Sequence, residues 1–281
     1  MAKTVFLHYT QEELNRNFDQ RSWVSNALEV IARYPVLSAT TRARLEHRAN
    51  IAYGAGEDET LDIFPAQGSN RPVQVFVHGG AWKNFSKDDY SFAADAFVPA
   101  GIHTAVVNFS NLPKLRLPQM VDQVRRAIAW VHQNARSFGG DPEQLYLSAQ
   151  SSGAHLSAMA LTMDDFVKAA TLVSGPYFLE PVMLSKRSDY VQLSETEVRE
   201  LSPGLHAGRI RCPVIIACAE HDTDEFQRQS REFAAALDKA GRLQKLMRLP
   251  GVNHFELMEC FTDGRHPLIR AILDQMDGQR S

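Results

Sequence analysis

Cysteine is scarce in this chain of 281 residues, which contains only Cys212, Cys218 and Cys260. Cys212 and Cys218 lie six residues apart along one apolar segment, about 20 Å at the rise of a β-strand, so they cannot pair with each other. No cysteine has a metal-ligand spacing such as C-x-x-C. We therefore expect three free thiols and no structural zinc.

Long apolar runs and an excess of one charge are also missing. The amino terminus lacks the apolar segment of about 7 to 15 residues that marks a signal peptide, and no run approaches the roughly 18 apolar residues of a membrane span. The 30 basic and 33 acidic residues give a formal net charge of -3, and no basic stripe follows the pattern that tracks phosphates. The sequence predicts a cytoplasmic protein with neither a membrane nor a nucleic acid as partner.

A nucleophile elbow is the clearest positive feature. Residues 145–158 read LYLSAQSSGAHLSA, in which an apolar strand breaks sharply into a helix at Ser151. Small neighbours are needed at such a turn, and Gly153 fits, whereas Ala149 replaces the usual first glycine of G-x-S-x-G. Ser137 and Ser202 also have glycine two positions later, but neither lies between an apolar strand and a helix. The context therefore favours Ser151 as the nucleophile.

A glycine pair upstream has the pattern of an oxyanion loop. The apolar strand at 72–77 runs into His78, Gly79 and Gly80, and glycines leave backbone N–H donors open to a developing negative charge. In hydrolases with this motif the donors come from the loop and from the residue after the nucleophile, here Gly79 or Gly80 with Ser152. A lone glycine pair is more often a tight turn, but the elbow downstream favours the oxyanion hole.

The elbow serine needs an acid and then a base later in the chain. Asp222 lies in an acidic loop after the apolar strand 213–219, where open α/β sheets place their sites, and is the predicted acid. Asp224 stands where the next helix begins, and a carboxylate there commonly complements the helix dipole. Only His254 and His266 follow this loop. His254 comes directly after a strand-like segment and is the predicted base, whereas His266 precedes a terminal amphipathic helix.

Strands and helices alternate along the chain, which predicts an α/β fold with a mostly parallel, doubly wound sheet. We expect one domain over residues 1–281, with a helical amino-terminal region over about 1–50. The segment 176–207 separates two core strands by far more than the usual connection and predicts a small helical cap. The expected strands lie near 61–64, 73–77, 102–109, 144–148, 169–174, 213–219 and 243–249.

Taken together, these features resemble the kynurenine formamidase-like branch of the α/β-hydrolases. The resemblance covers most of the chain, and the acid loop is its most specific part. Two departures, Ala81 in place of a larger residue and Ala149-Gln150 in place of Gly-His, concern the substrate more than the triad. The matching segments are Arg21-Ser-Trp23, the HGGAW loop at 78–82, Gln150–His155, Ser174-Gly175, Leu179-Glu-Pro181, Glu220–Ser230 and Asn253-His-Phe255.

The resemblance implies hydrolysis of an acyl group from an aromatic amine, such as N-formylkynurenine or, with more room beside Ala81, an N-acylanthranilate. Because the chain itself supplies the nucleophile, the base and the oxyanion donors, we expect no metal or organic cofactor. It suggests that Trp82, Lys83, Tyr177 and Phe178 contact this small-molecule aromatic amide. Lys83, and also Lys114 and Arg116, are candidates to meet a substrate carboxylate.

Two other classes stay open. A carboxylesterase acting on small aryl or alkyl esters shares the His-Gly-Gly loop, and a noncatalytic receptor shares the fold but usually loses a triad residue. The sequence leaves the assembly open and a homodimer among the options.

Overall fold

The computed structural model, which describes residues 3–279, contains an eight-stranded sheet and a separate two-stranded ribbon. In the sheet the spatial order is β10-β9-β8-β7-β5-β6-β4-β3, in which β5 to β10 run parallel and β4 is antiparallel to both β3 and β6. The strands are β1 (Thr4–Phe6) and β2 (Tyr9–Thr10) in the ribbon, and β3 (Arg48–Ala52), β4 (Thr60–Phe64), β5 (Arg71–Val77), β6 (His103–Val107), β7 (Gly140–Gln150), β8 (Ala169–Val173), β9 (Val214–Ala219) and β10 (Leu243–Leu249) in the sheet.

The seven predicted strands correspond to β4 through β10, which confirms a mostly parallel α/β sheet. β7 is longer than expected and begins at Gly140, because its polar first residues still pair with β5 at Arg71. The sequence missed the edge strand β3, whose residues are mostly exposed and carry no apolar pattern.

Helices cover both faces of the sheet. One face packs on α4, α5 and α9 through residues such as Val124, Leu156 and Phe233, and the other face packs on α3 and α11 through residues such as Tyr34 and Ile272. The helices are α1 (Gln11–Asn17), α2 (Gln20–Trp23), α3 (Ala27–Arg44), α4 (Leu117–Asn134), α5 (Ser152–Leu161), α6 (Glu180–Leu184), α7 (Ser188–Val191), α8 (Glu195–Glu200), α9 (Asp224–Lys239), α10 (Glu256–Glu259) and α11 (Pro267–Gly278).

The segment between β8 and β9 folds into α6, α7 and α8 followed by the 3-10 turn Pro203–Arg209, as the predicted helical cap requires. Two hydrogen bonds tie this cap to α1. The Gln11 side-chain amide donates to the Leu184 carbonyl at 2.8 Å, and the Lys186 N–H donates to Asn15 Oδ1 at 2.9 Å. The cap and the amino-terminal helices therefore meet each other above the sheet.

All three cysteines are free and buried. Burial raises the pKa of the Cys212 and Cys260 thiols to about 12, which makes them poor nucleophiles. Over residues 3–279, no helix combines the length and the apolar character of a membrane span. The same described residues contain no group of three or more His, Cys, Asp and Glu side chains arranged to hold a metal ion.

Candidate active site

Ser151 forms the turn between β7 and α5, with a φ of 54° and a ψ of -125° that non-glycine residues rarely adopt. Its N–H donates to the Val173 carbonyl at 2.8 Å, and its carbonyl accepts from the His155 N–H at 3.2 Å, so neighbouring elements hold the strained turn. A Cβ on Gly153 would lie 2.2 Å from the His78 carbonyl oxygen. Glycine is therefore required where α5 approaches the loop after β5.

Three polar side chains form one hydrogen-bonded chain at this turn. His254 Nε2 lies 3.0 Å from Ser151 Oγ, and His254 Nδ1 lies 2.6 Å from Asp222 Oδ1. The other carboxylate oxygen, Oδ2, accepts from Ser174 Oγ at 2.5 Å and from the Ala219 N–H at 2.9 Å. Because the carboxylate accepts from Nδ1–H, Nε2 of the neutral ring is free to accept the serine proton. The side chains of Ser151, Asp222 and His254 are all buried.

The other acidic and histidine candidates lie elsewhere. Asp224 is exposed and begins α9 immediately after its N-cap Thr223. His266 is the N-cap of α11, where its Nδ1 accepts from the Leu268 N–H at 3.2 Å. Both residues therefore lie at the starts of helices, as the sequence predicted for them, and not at the Ser151 turn.

The loop after β5 presents backbone donors beside Ser151. The Gly79 carbonyl accepts from His78 Nδ1 at 2.7 Å, which turns the Gly80 N–H in the opposite direction. Within residues 3–279, the N–H groups of Gly79, Gly80 and Ser152 donate to no backbone carbonyl. A Cβ on Gly79 would lie 3.0 Å from Ser151 Cβ, and one on Gly80, whose φ is +123°, would lie 2.0 Å from the Asn84 carbonyl oxygen. Both positions therefore require glycine.

The same loop is strained and firmly held. Ala81, Trp82 and Phe85 have positive φ angles of 53°, 63° and 70°. The Trp82 carbonyl accepts from the Leu112 N–H at 2.8 Å, and its indole N–H donates to His155 Nδ1 at 3.3 Å. Strain that the surrounding structure overcomes is typical of functional loops.

Burial keeps two histidines beneath the site neutral. The pKa of His78 is lowered to about 4 by desolvation, and its ring stacks on Phe109 at a centroid distance of 4.3 Å. Desolvation lowers the pKa of His155 to about 4 as well. His155 Nε2–H donates to the Leu201 carbonyl at 2.8 Å while Nδ1 accepts from Trp82, an arrangement that only the neutral ring satisfies.

A cleft of about 730 Å³ opens onto Ser151 and His254. Its walls come from the loop after β5, from the amino-terminal helices and from the cap. Most of the lining residues are polar or charged, and the Phe and Tyr rings among them are Phe18, Phe85, Tyr90, Tyr190 and Phe255. The cleft is therefore suited to a ring-bearing small molecule.

Of the four predicted substrate contacts, only Lys83 lines this cleft, with its Nζ 4.2 Å above the Tyr190 ring. The other three are corrected by the structure. Trp82 is buried beneath the loop, because its indole bonds to His155. Tyr177 is fully buried with its ring stacked on Phe233 at 4.3 Å. Phe178 turns away against Gly204, where an added Cβ would lie 2.3 Å from its ring.

Two further predicted cations also lie outside the cleft. Lys114 pairs with Glu57 at 3.1 Å and Asp58 at 2.7 Å, and Arg116 pairs with Glu197 at 2.8 Å. Neither residue lines the cleft, because both pair with carboxylates of the protein elsewhere on the surface.

Sequence reasoning also missed two lining residues. Gln150 places its side-chain nitrogen 3.1 Å from His254 Nε2, on the nitrogen that also faces Ser151. Its presence in place of histidine was visible in the sequence, but this contact was not. Arg187 lies buried in the cleft wall between α6 and α7, and no local pattern distinguished it from the other cap cations.

Comparison with known proteins identifies the family. The BD-FAE family model matches residues 61–174. The kynurenine formamidase of Salmo salar is 31% identical over 287 residues, which cover 95% of this chain and 96% of that protein. The chain belongs to the kynurenine formamidase family. The protein is accordingly a hydrolase that acts on amide or ester bonds.

More distant relatives share the fold. Esterase LipQ of Mycobacterium tuberculosis is 29% identical over 78% of this chain and 60% of the esterase. A candidate thioesterase of Silicibacter sp. TM1040 superposes with a TM-score of 0.83 at 21% identity, covering 93% of this chain and 99% of that one. These likenesses confirm the α/β-hydrolase fold that the family resemblance implied.

Proposed function

We propose that the protein is a serine hydrolase that removes a formyl or longer acyl group from an aromatic amine, as in N-formylkynurenine or an N-acylanthranilate. The observation that carries this proposal is the hydrogen-bonded chain from Ser151 through His254 to Asp222, which opens onto an aromatic-lined cleft. The kynurenine formamidase relative supports an amide as the scissile bond.

The acylation half of the reaction follows from this geometry. Ser151 Oγ attacks the acyl carbon while His254 Nε2 takes the hydroxyl proton, and Asp222 stabilises the imidazolium. Negative charge develops on the former carbonyl oxygen, where the N–H groups of Ser152 and of Gly79 or Gly80 stabilise it. The C–N bond then breaks as His254 gives its proton to the leaving amine, which leaves an acyl-serine.

Deacylation reverses the proton path. Water attacks the acyl carbon while His254 accepts one of its protons, and the bond between the acyl carbon and Ser151 Oγ breaks as His254 returns a proton to that oxygen. The products are the free aromatic amine and the carboxylic acid. Every proton is carried by the chain's own side chains.

A fluorophosphonate probe followed by peptide mapping tests the nucleophile. We expect a label on Ser151, loss of the label in Ser151→Ala, and a kcat lowered by about 10⁴-fold or more in that variant. The matched control is Ser137→Ala, because Ser137 is exposed and also has a glycine two positions later. A label on another serine, or activity retained by Ser151→Ala, would refute the assignment.

A carboxylesterase is the second candidate, because an esterase is among the relatives over most of this chain. The two functions share the same nucleophile and differ in the leaving group. We therefore expect formanilide to be hydrolysed with a kcat/KM comparable to that of phenyl formate if the protein is an amidase. Turnover of phenyl formate without measurable turnover of formanilide, of N-formylanthranilate or of their longer N-acyl homologues would establish the esterase instead.

A further inference from the structure

One cation in the cleft wall makes no ion pair, although the exposed Asp19 carboxylate of the same lining acts on it at longer range. Lys87 and Arg187 are the two buried lysine or arginine side chains among residues 3–279, at 3% and 7% exposure. Lys87 Nζ pairs with Asp62 at 2.9 Å and Asp88 at 2.8 Å. Arg187 makes no such ion pair within the described chain. A buried charge without a partner is strongly unfavourable, so Arg187 requires an explanation that Lys87 does not.

The protein supplies hydrogen-bond acceptors to only two of the three guanidinium nitrogens of Arg187. Nε donates to the Phe18 carbonyl at 3.0 Å, and Nη2 donates to Gln20 Oε1 at 2.6 Å. Nη1 is buried and has no hydrogen-bond partner in the protein. Burial lowers the pKa of Arg187, and arginine nevertheless keeps its proton in proteins. The side chain is thus a fixed positive charge with one donor nitrogen unused.

The position of Arg187 connects it to the reacting groups. Its Cζ lies 5.7 Å from the centroid of the Trp82 ring, which belongs to the loop after β5, and 5.8 Å from that of Phe226. The Phe226 ring meets the His254 ring edge-on at 5.3 Å. Arg187 also lines the cleft that contains Ser151. The four other cations of this lining are exposed to solvent, and they are Arg16, Arg21, Lys83 and Lys186.

From this geometry we infer that Arg187 is the specificity-determining residue that binds the carboxylate which the proposed substrates carry on their amine portion. The inference rests on the proposed function. A substrate carboxylate supplies the acceptor that Nη1 lacks and a countercharge in direct contact with the guanidinium, and charge-assisted hydrogen bonds of this kind are strong in a desolvated site.

Paired substrates separate this role from a structural one. We expect wild type to hydrolyse the most reactive of the 2-, 3- and 4-formamidobenzoates with a higher kcat/KM than formanilide. Arg187→Gln should lower kcat/KM for that formamidobenzoate by about 10- to 100-fold more than for formanilide, mainly through KM. Arg187→Lys keeps the charge and should restore part of the preference.

Two results would overturn the inference. Equal losses on both substrates would mean that Arg187 only holds the cap against α1 and α2. Loss of the preference in Lys83→Ala, with the preference kept in Arg187→Gln, would assign the carboxylate to Lys83. The thermal unfolding midpoint of each variant, measured without substrate, serves as the control for folding.

A binding measurement separates failure of this inference from failure of the proposed function. Calorimetry on Ser151→Ala should show tighter binding of the matching aminobenzoate than of aniline, and the additional change Arg187→Gln should remove that difference. If wild type hydrolyses neither formanilide, nor the formamidobenzoates, nor the longer N-acyl homologues of either, the proposed function is refuted. The aminobenzoate titration then still decides whether Arg187 binds a carboxylate.

Discussion

Replacement of Asp222 by asparagine should abolish most of the activity through the tautomer of His254. The carboxylate accepts three hydrogen bonds, from His254 Nδ1, from Ser174 Oγ and from the Ala219 N–H. In Asp222→Asn the amide oxygen must stay at the Oδ2 position, because the Ala219 N–H requires an acceptor there. The amide NH2 then faces His254 Nδ1.

The consequence is a histidine with its proton on the wrong nitrogen. Nδ1 must accept from the asparagine amide, so the neutral ring carries its proton on Nε2, which faces Ser151 Oγ. A protonated Nε2 cannot take the serine proton. We expect kcat to fall by up to about 10⁴-fold, or about 5.5 kcal/mol in activation free energy, with little change in KM.

The assay is steady-state hydrolysis of the best amide or ester substrate by Asp222→Asn and by its matched control Asp224→Asn. Asp224 is exposed at the start of α9, so its loss should change kcat less than about twofold. A kcat for Asp222→Asn within tenfold of wild type would refute the tautomer argument. A larger loss of kcat in Asp224→Asn than in Asp222→Asn would mean that Asp222 is not the acid that orients His254.

Two stability predictions follow from the packing beneath the site. Gly153→Ala places a Cβ 2.2 Å from the His78 carbonyl oxygen and should lower the free energy of unfolding, measured in urea, by about 1–3 kcal/mol. Gly208→Ala is the control, because no atom lies within 4 Å of a Cβ at that position. Equal urea midpoints for the two variants would contradict the clash. Because burial lowers the pKa values of His78 and His155 from 6.5 to about 4, the unfolded state binds more protons below pH 6.5, and stability falls as the pH falls towards 4. The free energy of unfolding should fall by about 2 kcal/mol per histidine between pH 7.5 and pH 5. In His155→Gln the free energy of unfolding should fall less steeply over this pH range than in wild type. Parallel plots of unfolding free energy against pH would mean that His155 is not a titrating group.

The sheet could be predicted because its signals are local. An apolar strand, a sharp turn and a small residue mark the elbow at Ser151, and strands that end in polar loops mark Asp222 and His254. Parallel strands bring their carboxyl ends to one edge, so the chain order predicts that these side chains meet. The structure places them within hydrogen-bond distance. Their catalytic roles remain the proposal that labelling and mutation will test.

The lining of the cleft could not be predicted in the same way. Tyr177 and Phe178 lie in the cap segment at the carboxyl end of β8, where aromatic rings look suited to a substrate, but the rings fill the core against Phe233 and Gly204. Sequence composition does not distinguish an aromatic ring that packs from one that faces a cleft. The burial of each ring depends on which helix lies opposite, and that helix comes from a distant part of the chain.

Arg187 illustrates the difference between features that local sequence patterns predict and features that depend on tertiary contacts. Its partners Phe18 and Gln20 are more than 160 residues away in sequence and belong to the amino-terminal region, not to the sheet. The reacting groups are positioned by strand ends, whereas the cleft is closed by contacts between the cap and the amino-terminal helices. A substitution in that contact can change the substrate without disturbing the triad. The sequence therefore predicts which side chains meet at the strand ends, whereas the lining of the cleft depends on tertiary contacts that lie outside the sheet.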